Sequence, residues 1–397
     1  MNPITNPYAP GAGTPPPELA GRDELLRAVD IAAQRIRAGR TAKSVLMIGL
    51  RGVGKTVLLD RMRDAAEAAG IHTLRMEAPE GRSLPAILAP QLRQALLRLS
   101  RSEQAQALGR RALRALAGFA KSLKVKYADI EVGIDFDPEP GLADNGDLEH
   151  DLQALLEAAG RAAQAGDTAL LLFIDELQYV EEEQLASLIT ALHRCAQQQV
   201  PVMLVGAGLP QLPGQMGRAK SYAERLFDFP FIGPLDAQSA HRALELPAAE
   251  LGVAYGDGAI AHIVDATEGY PYFLQEWGKH AWDVAAASPI SLADVQLASV
   301  TATAALDESF FRVRFDRLTP HEKRYLRAMA ELGAGPHRSG DIAALLGRKV
   351  TSLAPTRNQL IAKGMIWSPS HGDTAFTVPM FDRFMRRIMP ADDWRDA

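Results

Sequence analysis

Gly49-Leu50-Arg51-Gly52-Val53-Gly54-Lys55-Thr56 has the Gly-x-x-x-x-Gly-Lys-Thr spacing of a loop that cradles phosphate groups. The apolar run Ser44–Ile48 before it predicts a buried parallel strand, and 57–62 after it predicts a helix. The stretch therefore predicts a strand, a loop and a helix N-terminus in succession. A helix N-terminus favours anions, so we expect this segment to bind a nucleoside triphosphate.

The residue types suggest a role for each part of the loop. Glycines allow successive backbone N–H groups to point at the phosphates, and Lys55 is expected to reach the β- and γ-phosphates. The Thr56 hydroxyl is expected to bind Mg²⁺, so ATP and Mg²⁺ are the predicted cofactors. The predicted nucleotide-binding residues of the stretch are Gly49, Leu50, Arg51, Gly52, Val53, Gly54, Lys55, Thr56 and Val57.

A second apolar run, 169–174, ends in the acidic pair Asp175-Glu176. It predicts a buried strand whose carboxyl end lies where α/β sheets bind ligands. Hydrolysis needs a second Mg²⁺ anchor and a group that activates water. We therefore predict that Asp175 holds Mg²⁺, through water, and that Glu176 is the general base. The alternative is an ordinary helix cap, since acidic residues favour first turns.

These motifs resemble the AAA+ class of P-loop ATPases, in the branch of origin-recognition initiators, archaeal ATPases and STAND-type signalling ATPases. Upstream, Gly21-Arg22 looks like the motif that helps this class enclose adenine. The resemblance implies an α/β fold with a parallel sheet and helices on both faces, then a helical lid and a C-terminal winged helix. Residues 1–20 are expected to form an N-terminal arm, and the alternative for 1–17 is a disordered Pro/Gly-rich terminus.

Two features concern the sensors of this class. The predicted strand 200–206 ends in Gly206-Ala207-Gly208, where the class usually has a polar residue facing the γ-phosphate. That role is unfilled unless Gln178 or a backbone amide serves. Arg225 lies where such proteins often carry an arginine finger for a neighbouring subunit's nucleotide, so self-association through the ATPase module is expected. The alternative is a solvated helix arginine.

Residues 236–315 resemble the helical lid of the class. Within them, 269–275 resembles the Gly-x-Pro motif in which the proline, here Pro271, packs near adenine. The usual lid arginine is absent from this motif. With two sensors missing, we expect slow hydrolysis, which suits a switch better than a motor.

Length and composition agree with several domains. The 397 residues with 47% hydrophobic content predict two or three domains. We expect an arm at 1–20, a core at 21–235 with an insertion at about 85–150, a lid at 236–315 and a winged helix at 316–390. A membrane span and an export signal are not expected. The single cysteine, Cys195, excludes an internal disulfide and suits a cytoplasmic protein.

The C-terminal segment is basic although the chain carries a net charge of −5. Residues 321–390 hold eleven Lys or Arg and five Asp or Glu, a net +6. Thr319 and Glu322 predict a capping box at the start of a helix to about residue 332. Ser339 is expected to cap a second helix, and a third is expected over 351–363 with Pro355 in its first turn. Strands at 365–367 and 375–378 are expected to pair as a wing.

This organisation indicates duplex DNA as a partner through 321–390. On the third helix, Arg357, Asn358 and Gln359 are expected to address bases. Phosphate contacts are expected from three flanking cations, Arg348, Lys349 and Lys363. The alternative is a winged helix that contacts only protein.

The insertion divides by charge. From 91 to 126 there are nine basic residues and one acid, and from 129 to 151 there are nine acids and no Lys or Arg. Origin-recognition initiators insert DNA-contacting helices here, but we prefer the reading that the two halves lie on each other or on a neighbouring subunit. Between them, 124–136 alternates enough to predict a strand or hairpin.

Together these features predict an ATP-binding and ATP-hydrolysing switch that presents a winged helix to DNA. The alternative is a STAND-like signalling or scaffold ATPase whose winged helix contacts protein. A metabolic kinase is a third reading, which the Asp-Glu pair makes less favoured because it suits water as the nucleophile.

Overall fold

Five parallel strands form the sheet that the sequence predicts around the phosphate loop. The computed structural model describes residues 1–11, 13–130, 136–390 and 394. The chain forms two compact units. The sheet unit comprises Asp23–Ile48 and Lys55–Phe231, and the helical unit comprises Met1–Arg22, Gly49–Gly54 and Ile232–Ala397.

The sheet unit alternates strands and helices as the apolar runs predict. Its strands are β1 (Ser44–Ile48), β2 (His72–Glu77), β3 (Leu170–Asp175), β4 (Val202–Gly208) and β5 (Phe227–Asp228). Its helices are α1 (Asp23–Arg37), α2 (Lys55–Ala68), α3 (Leu84–Leu99), α4 (Gln106–Leu123), α5 (Leu148–Ala165), α6 (Glu182–Gln197), α7 (Leu212–Ala219) and α8 (Ala223–Leu226).

The strand order in the sheet is β2-β3-β4-β1-β5, so β2 and β5 are its outer strands. All neighbouring strands are parallel, with Ile48 opposite Gly208 and Glu77 opposite Asp175. β1, β3 and β4 are buried along their whole length, as continuous apolar runs in parallel sheets require. Because the strands are parallel, their C-terminal ends, which carry the predicted functional residues, lie along one side of the sheet. We call this side the carboxyl edge.

The insertion between β2 and β3 forms α3, α4 and α5, whose apolar faces join the core of the sheet unit. Its acidic half packs on its basic half: Arg111 Nε lies 3.1 Å from Glu139 Oε1, and the Ser122 hydroxyl donates to Asp151. These contacts favour the interpretation that the halves lie on each other. The predicted strand at 124–136 is wrong for 124–130, which form turns, and its remainder falls largely outside the described residues.

The helical unit contains nine α-helices and three short strands in its described residues. The helices are α9 (Ala237–Ala249), α10 (Ala259–Thr267), α11 (Pro271–Val284), α12 (Leu292–Leu306), α13 (Arg312–Asp316), α14 (Pro320–Leu332), α15 (Ser339–Leu345), α16 (Val350–Ala362) and α17 (Phe381–Ile388). The strands are β6 (His337–Arg338), β7 (Ile366–Trp367) and β8 (Asp373–Phe376). A π-helical turn, Asp307–Phe311, joins α12 to α13.

The C-terminal segment has three of the predicted features. Thr319 and Glu322 form the capping box, α16 runs over the predicted third helix, and β7 and β8 pair antiparallel. The sheet order β6-β8-β7 adds a third strand that the sequence did not indicate.

Two details of this segment differ from prediction. Ser339 is the first residue of α15 and gives no cap, because its hydroxyl donates to the Gly372 carbonyl. Pro355 is inside α16, beyond the first turn, since the helix begins at Val350.

The N-terminal arm is ordered against helices of its own unit. The Tyr8 ring is 3% exposed, and its hydroxyl donates to the Leu244 carbonyl and accepts from Tyr255 at 2.8 Å. A side chain at position 278 would collide with the Tyr8 ring, so Gly278 makes this packing possible. No helix of the described residues is long and apolar enough to cross a membrane.

Candidate functional site

Lys55 and Thr56 open α2 directly after the phosphate loop. Lys55 is 8% exposed, an unusual burial for a lysine. The Thr56 hydroxyl donates to Asp175 Oδ2 at 2.7 Å across 119 positions of sequence. The two residues predicted to hold Mg²⁺ are thus in direct contact in the sheet unit. Hydroxyl and carboxylate oxygens are ligands that Mg²⁺ accepts.

Asp175 has a second partner that sequence reasoning missed. Arg75, on the neighbouring strand β2, places Nη2 3.5 Å from Asp175 Oδ2 and Nε 2.7 Å from Asp60 Oδ1. Burial raises the pKa of Asp175 above its ordinary value, with Glu176 adding to the rise while Thr56 and Arg75 oppose it. A carboxylate whose charge is disfavoured by its surroundings is suited to receiving a cation.

Glu176 has a left-handed backbone with φ of 53°, rare for a residue with a side chain. Its N–H donates to Asp175 Oδ1 at 2.9 Å, and its carboxylate accepts a hydrogen bond from Gln178 Nε2. Backbone strain of this kind is often found at functional sites. The role of Glu176 as general base remains a prediction.

The glycines at the end of β4 leave room for neighbouring side chains. A Cβ at position 206 would lie 2.4 Å from Leu177 Cδ1, and one at 208 would lie 2.7 Å from Leu212 Cδ2 and 3.0 Å from Gln178 Oε1. The absence of a polar sensor side chain at this strand end therefore has a structural reason. The space is filled by apolar groups and by the Gln178 amide.

The phosphate loop, residues 49–54, packs within the helical unit. A Cβ on Gly49 would lie 2.2 Å from the Ile232 carbonyl oxygen, and Gly52 has a φ of +79°, so both positions favour glycine. The Arg51 N–H donates to the Thr377 carbonyl at 3.1 Å, and the Tyr272 N–H donates to the Gly52 carbonyl at 3.2 Å. The loop backbone is thus bonded to α11 and to the C-terminal segment.

The two predicted adenine contacts, Pro271 and Arg22, both belong to the helical unit. Pro271 is the first residue of α11, one position before the Tyr272 N–H that bonds the loop. The Arg22 guanidinium donates to the Gly233 carbonyl, and its pKa is lowered by burial while Asp236 opposes the change. Contact of either residue with adenine remains a prediction.

An aromatic stack beside the loop was also missed by sequence reasoning. The Tyr272 ring stacks on Phe310 with centroids 4.9 Å apart, and the Arg314 guanidinium lies 4.1 Å from the Phe310 centroid. The stack joins residues 38 positions apart, and only the run Phe310-Phe311 hints at it. Arg314 thus brings a cation to the tyrosine that bonds the phosphate loop.

Arg225 lies at the other edge of the sheet. It is exposed on α8, directly before β5, whose Phe227 pairs with Ser44 at the start of β1. Asp175 ends β3 at the carboxyl edge, so the two residues are at opposite edges of the same parallel sheet. The role of Arg225 as an arginine finger remains a prediction.

Two of the predicted DNA contacts are bonded inside their own segment. The Arg357 guanidinium donates to Thr374 Oγ1 at 3.1 Å, to Ser368 Oγ at 2.9 Å and to the Asp373 carbonyl at 3.1 Å. Lys363 Nζ lies 2.7 Å from Glu322 Oε2. Arg348, Lys349, Asn358 and Gln359 are exposed. Contact of any of these six residues with DNA remains a prediction.

Comparison with protein families matches two regions of the chain. Residues 18–205 match the AAA ATPase domain, and residues 308–385 match a domain of unknown function, DUF8462. No curated protein matches the sequence.

Comparison with solved structures shows the fold. The Walker-type ATPase PABY2304 of Pyrococcus abyssi is 16% identical, with 94% of this chain and 97% of that chain covered and a TM-score of 0.56. Two further structures score below 0.5, too low to show a shared fold. They are Aeropyrum pernix Orc1 in complex with DNA (16% identity, 94% of both chains, TM-score 0.46) and the Thermotoga maritima RuvB Holliday junction branch migration motor (16%, 90% and 92%, 0.44).

The family match, the parallel five-stranded sheet and the loop-strand-carboxylate order agree with one another. Residues 18–205 therefore match an AAA ATPase domain, and the chain has the fold of an AAA+ P-loop ATPase.

Proposed function

We propose that this protein is an Mg²⁺-dependent ATPase that works as a molecular switch, in which nucleotide state controls the C-terminal segment and its binding to duplex DNA. The observation that carries the proposal is the bonding of the phosphate-loop backbone. Arg51 donates to Thr377 of the C-terminal segment, and Gly52 accepts from Tyr272 of α11. A change in the loop on nucleotide binding would therefore act directly on both elements.

The proposed chemistry uses residues of the ATPase domain. Loop N–H groups and Lys55 would hold the phosphates. Thr56 and Asp175 would hold Mg²⁺, which when bound neutralises charge developing on the phosphate oxygens. Glu176 would accept a proton from the attacking water. The water oxygen would bond to the γ-phosphorus while the bond between that phosphorus and the β,γ-bridging oxygen breaks. The products are ADP and inorganic phosphate.

Coupling is supported by the position of Thr377 in the C-terminal segment. Thr377 is fully buried, its N–H donates to Met365 at 3.0 Å, and its hydroxyl donates to Gly364. It directly follows β8, the strand that pairs with both β6 and β7. A displacement of the Thr377 carbonyl would thus pass into the small sheet and the end of α16.

DNA binding is supported by the surplus of positive charge and by the exposed cations at the start of α16. Arg348 and Lys349 precede the helix, and Asn358 and Gln359 are exposed on it. Cations near a helix N-terminus can position the helix on phosphates while amide side chains meet base edges. Arg357 and Lys363 take no part in this surface, because their side chains are bonded within the segment.

One observation favours the alternative, a signalling or scaffold ATPase. The exposed positions of α16 are Val350, Thr351, Ser352, Ala354, Pro355, Asn358, Gln359 and Ala362, and none is charged. Phosphate neutralisation supplies most non-specific DNA affinity, so a helix without exposed cations is a weak DNA ligand by itself. A protein partner would suit this uncharged surface.

Self-association is proposed from Arg225. Its exposed position at the edge opposite Asp175 suits action on a neighbouring molecule's nucleotide. Arg225→Ala is then expected to lower hydrolysis in the assembled state alone. An equal loss in demonstrably monomeric protein would contradict this role.

The test is ATP hydrolysis by wild type, Lys55→Ala and Glu176→Gln, with and without duplex DNA at low salt. We expect Lys55→Ala to lose nucleotide binding, and Glu176→Gln to bind ATP without turnover. DNA should stimulate the wild type, and its affinity should fall steeply as salt rises. Glu176-dependent turnover that is indifferent to DNA would support the alternative function, and full hydrolysis by Glu176→Gln would remove the base assignment.

A further inference from the structure

Gln178 bridges two elements at the carboxyl edge of the sheet. Its side chain is buried, 7% exposed. Nε2 donates to Glu176 Oε2, and Oε1 accepts from the Leu209 N–H at 3.0 Å. Leu209 directly follows β4, and the Gln178 carbonyl also accepts from Gln215 Nε2 at 3.3 Å. The amide is therefore held at one end by the backbone and presents its donor to the predicted general base.

Few side chains could make both bonds. An amide donates from its nitrogen and accepts at its oxygen, whereas an ionised carboxylate only accepts. Gly208 leaves the room that this arrangement needs, since a Cβ there would be 3.0 Å from Gln178 Oε1. The chemical type of Gln178 and the glycine at the strand end therefore act together.

We propose that Gln178 is a positioning residue for ATP hydrolysis: its amide, anchored on Leu209 after β4, orients the Glu176 carboxylate toward the attacking water. The inference rests on the proposed function of Glu176 and adds a residue that acts through it. The Gln178 amide also links the proposed general base to the end of β4, so a shift of that strand end would change the orientation of the Glu176 carboxylate.

The backbone and the carboxylate of Glu176 are held by different contacts. A left-handed φ at a residue with a side chain is strained and persists only where neighbouring groups impose it. At Glu176 the backbone is held by its N–H bond to Asp175 Oδ1 at 2.9 Å and by the bond from the Tyr179 N–H to its carbonyl at 3.0 Å. The bond from Gln178 instead holds the carboxylate, so without it the carboxylate would lose a fixed direction while the backbone could remain in place.

Gln184 offers a matched control in the same unit. It is 3% exposed, its Oε1 accepts from the Leu84 N–H at 2.6 Å, and its Nε2 donates to Glu181 Oε2 at 3.0 Å. Its bonding copies that of Gln178, with a carboxylate that has no proposed catalytic role. Replacing each glutamine should cost similar stability, so an effect on hydrolysis alone separates the two.

The experiment compares full-length wild type with Gln178→Ala, Gln178→Met, Gln178→Glu and Gln184→Ala, using MgATP. kcat, KM, affinity for a fluorescent ATP analogue and Tm are measured for each. We expect kcat to fall about 10- to 100-fold in all three Gln178 variants, the scale of a misplaced catalytic group. KM and analogue affinity should stay within about 2-fold, and Gln184→Ala should lower Tm without lowering kcat beyond about 2-fold.

Three results would overturn the inference. Wild-type kcat in Gln178→Met would show that the side chain serves only to fill space. A kcat that follows Tm across all four variants, Gln184→Ala included, would show a purely structural effect. Full hydrolysis by Glu176→Gln would remove the proposed function and this inference together, whereas the first two results would leave the role of Glu176 in place.

Discussion

Two buried carboxylates, Asp175 at the carboxyl edge of the sheet and Glu322 in the C-terminal segment, are treated in opposite ways by their surroundings. Asp175 is 3% exposed and burial raises its pKa despite the Thr56 and Arg75 contacts. Glu322 is 1% exposed, and although burial acts to raise its pKa, the bonds from Lys363 and Thr319 outweigh it and hold the pKa below its ordinary value. The surroundings therefore disfavour the ionised form of Asp175 and favour the ionised form of Glu322.

The difference separates a ligand site from a structural support. A depressed carboxyl pKa means that the ionised form stabilises the fold, and a raised pKa means that it weakens the fold. The protein tolerates that cost at Asp175, where the proposed Mg²⁺ would offset it. At Glu322 the charge completes a capping box and an ion pair that join α14 to the end of α16.

The largest expected effect is on hydrolysis by Asp175→Asn. Loss of the carboxylate charge should lower kcat with MgATP by more than about 100-fold, the order seen when one preorganised electrostatic group is removed. Steady-state phosphate release measures it. Glu322→Gln is the matched carboxyl-to-amide change, and a similar loss there would break the comparison.

A second prediction concerns the stability of the C-terminal segment. Glu322→Gln should lower the free energy of unfolding by about 1.5–3 kcal/mol, the usual contribution of a hydrogen bond to a charged group. Urea denaturation at pH 7.5 followed by circular dichroism measures it. Asp341→Asn, at an exposed acid in α15, is the control and should stay within about 0.5 kcal/mol of the wild type. Equal stabilities for Glu322→Gln and the wild type would deny Glu322 a supporting role.

The pH dependence of that loss sharpens the prediction. Because the folded pKa of Glu322 is depressed, its contribution is complete above its ordinary value of 4.5 and is lost as pH falls through the folded value. The difference in free energy of unfolding between wild type and Glu322→Gln should therefore be constant from neutral pH down to about pH 4.5, the ordinary pKa, and should shrink in more acid solution. A difference that grows as pH falls would contradict the assigned direction.

The opposite sign is expected at Asp175 without nucleotide or metal. Its folded pKa is raised, so the ionised wild type is penalised at pH 7.5 and the penalty disappears below the ordinary value of 3.8. Asp175→Asn should raise Tm slightly at pH 7.5, with Arg75 still paired to Asp60 at 2.7 Å. Differential scanning calorimetry measures it. A lower Tm for the variant at pH 7.5 would show that the Thr56 and Arg75 contacts together outweigh burial.

The smallest effect is expected from exposed cations. Arg348→Ala and Lys349→Ala should leave stability within about 0.5 kcal/mol of the wild type, as surface changes usually do. Each should reduce the slope of log affinity against log salt for duplex DNA by about 1. Fluorescence anisotropy at several salt concentrations measures both. Unchanged affinity in the double variant would favour a protein partner.

The sequence predicted the strands of the sheet well because local patterns determine them. β1 has the bounds that its apolar run indicates, and Asp175 ends β3 as expected. The phosphate loop was readable since its glycine spacing is a local requirement. The predicted strands and loop were enough to assign Thr56 and Asp175 to one Mg²⁺ site, and the two side chains are in contact.

The missed features depend on contacts that are distant in the sequence or on backbone geometry. Arg75 meets Asp175 because β2 and β3 pair across the whole insertion. The bond from Gln178 to Glu176 needs a left-handed residue that no local pattern indicates. Arg357 was expected on a DNA surface, but its guanidinium has two acceptors on β8 and a third at Ser368, directly after β7. Charge counts do not reveal which cations are bonded internally.

Hydrogen–deuterium exchange of residues 365–380 in Glu176→Gln, with and without MgATP, tests the central claim most directly. The Arg51–Thr377 bond predicts that bound ATP changes protection in this segment. Lys55→Ala, which should not bind nucleotide, should show no change. Unaltered protection in Glu176→Gln that is demonstrably saturated with ATP would contradict a switch that acts through the phosphate loop.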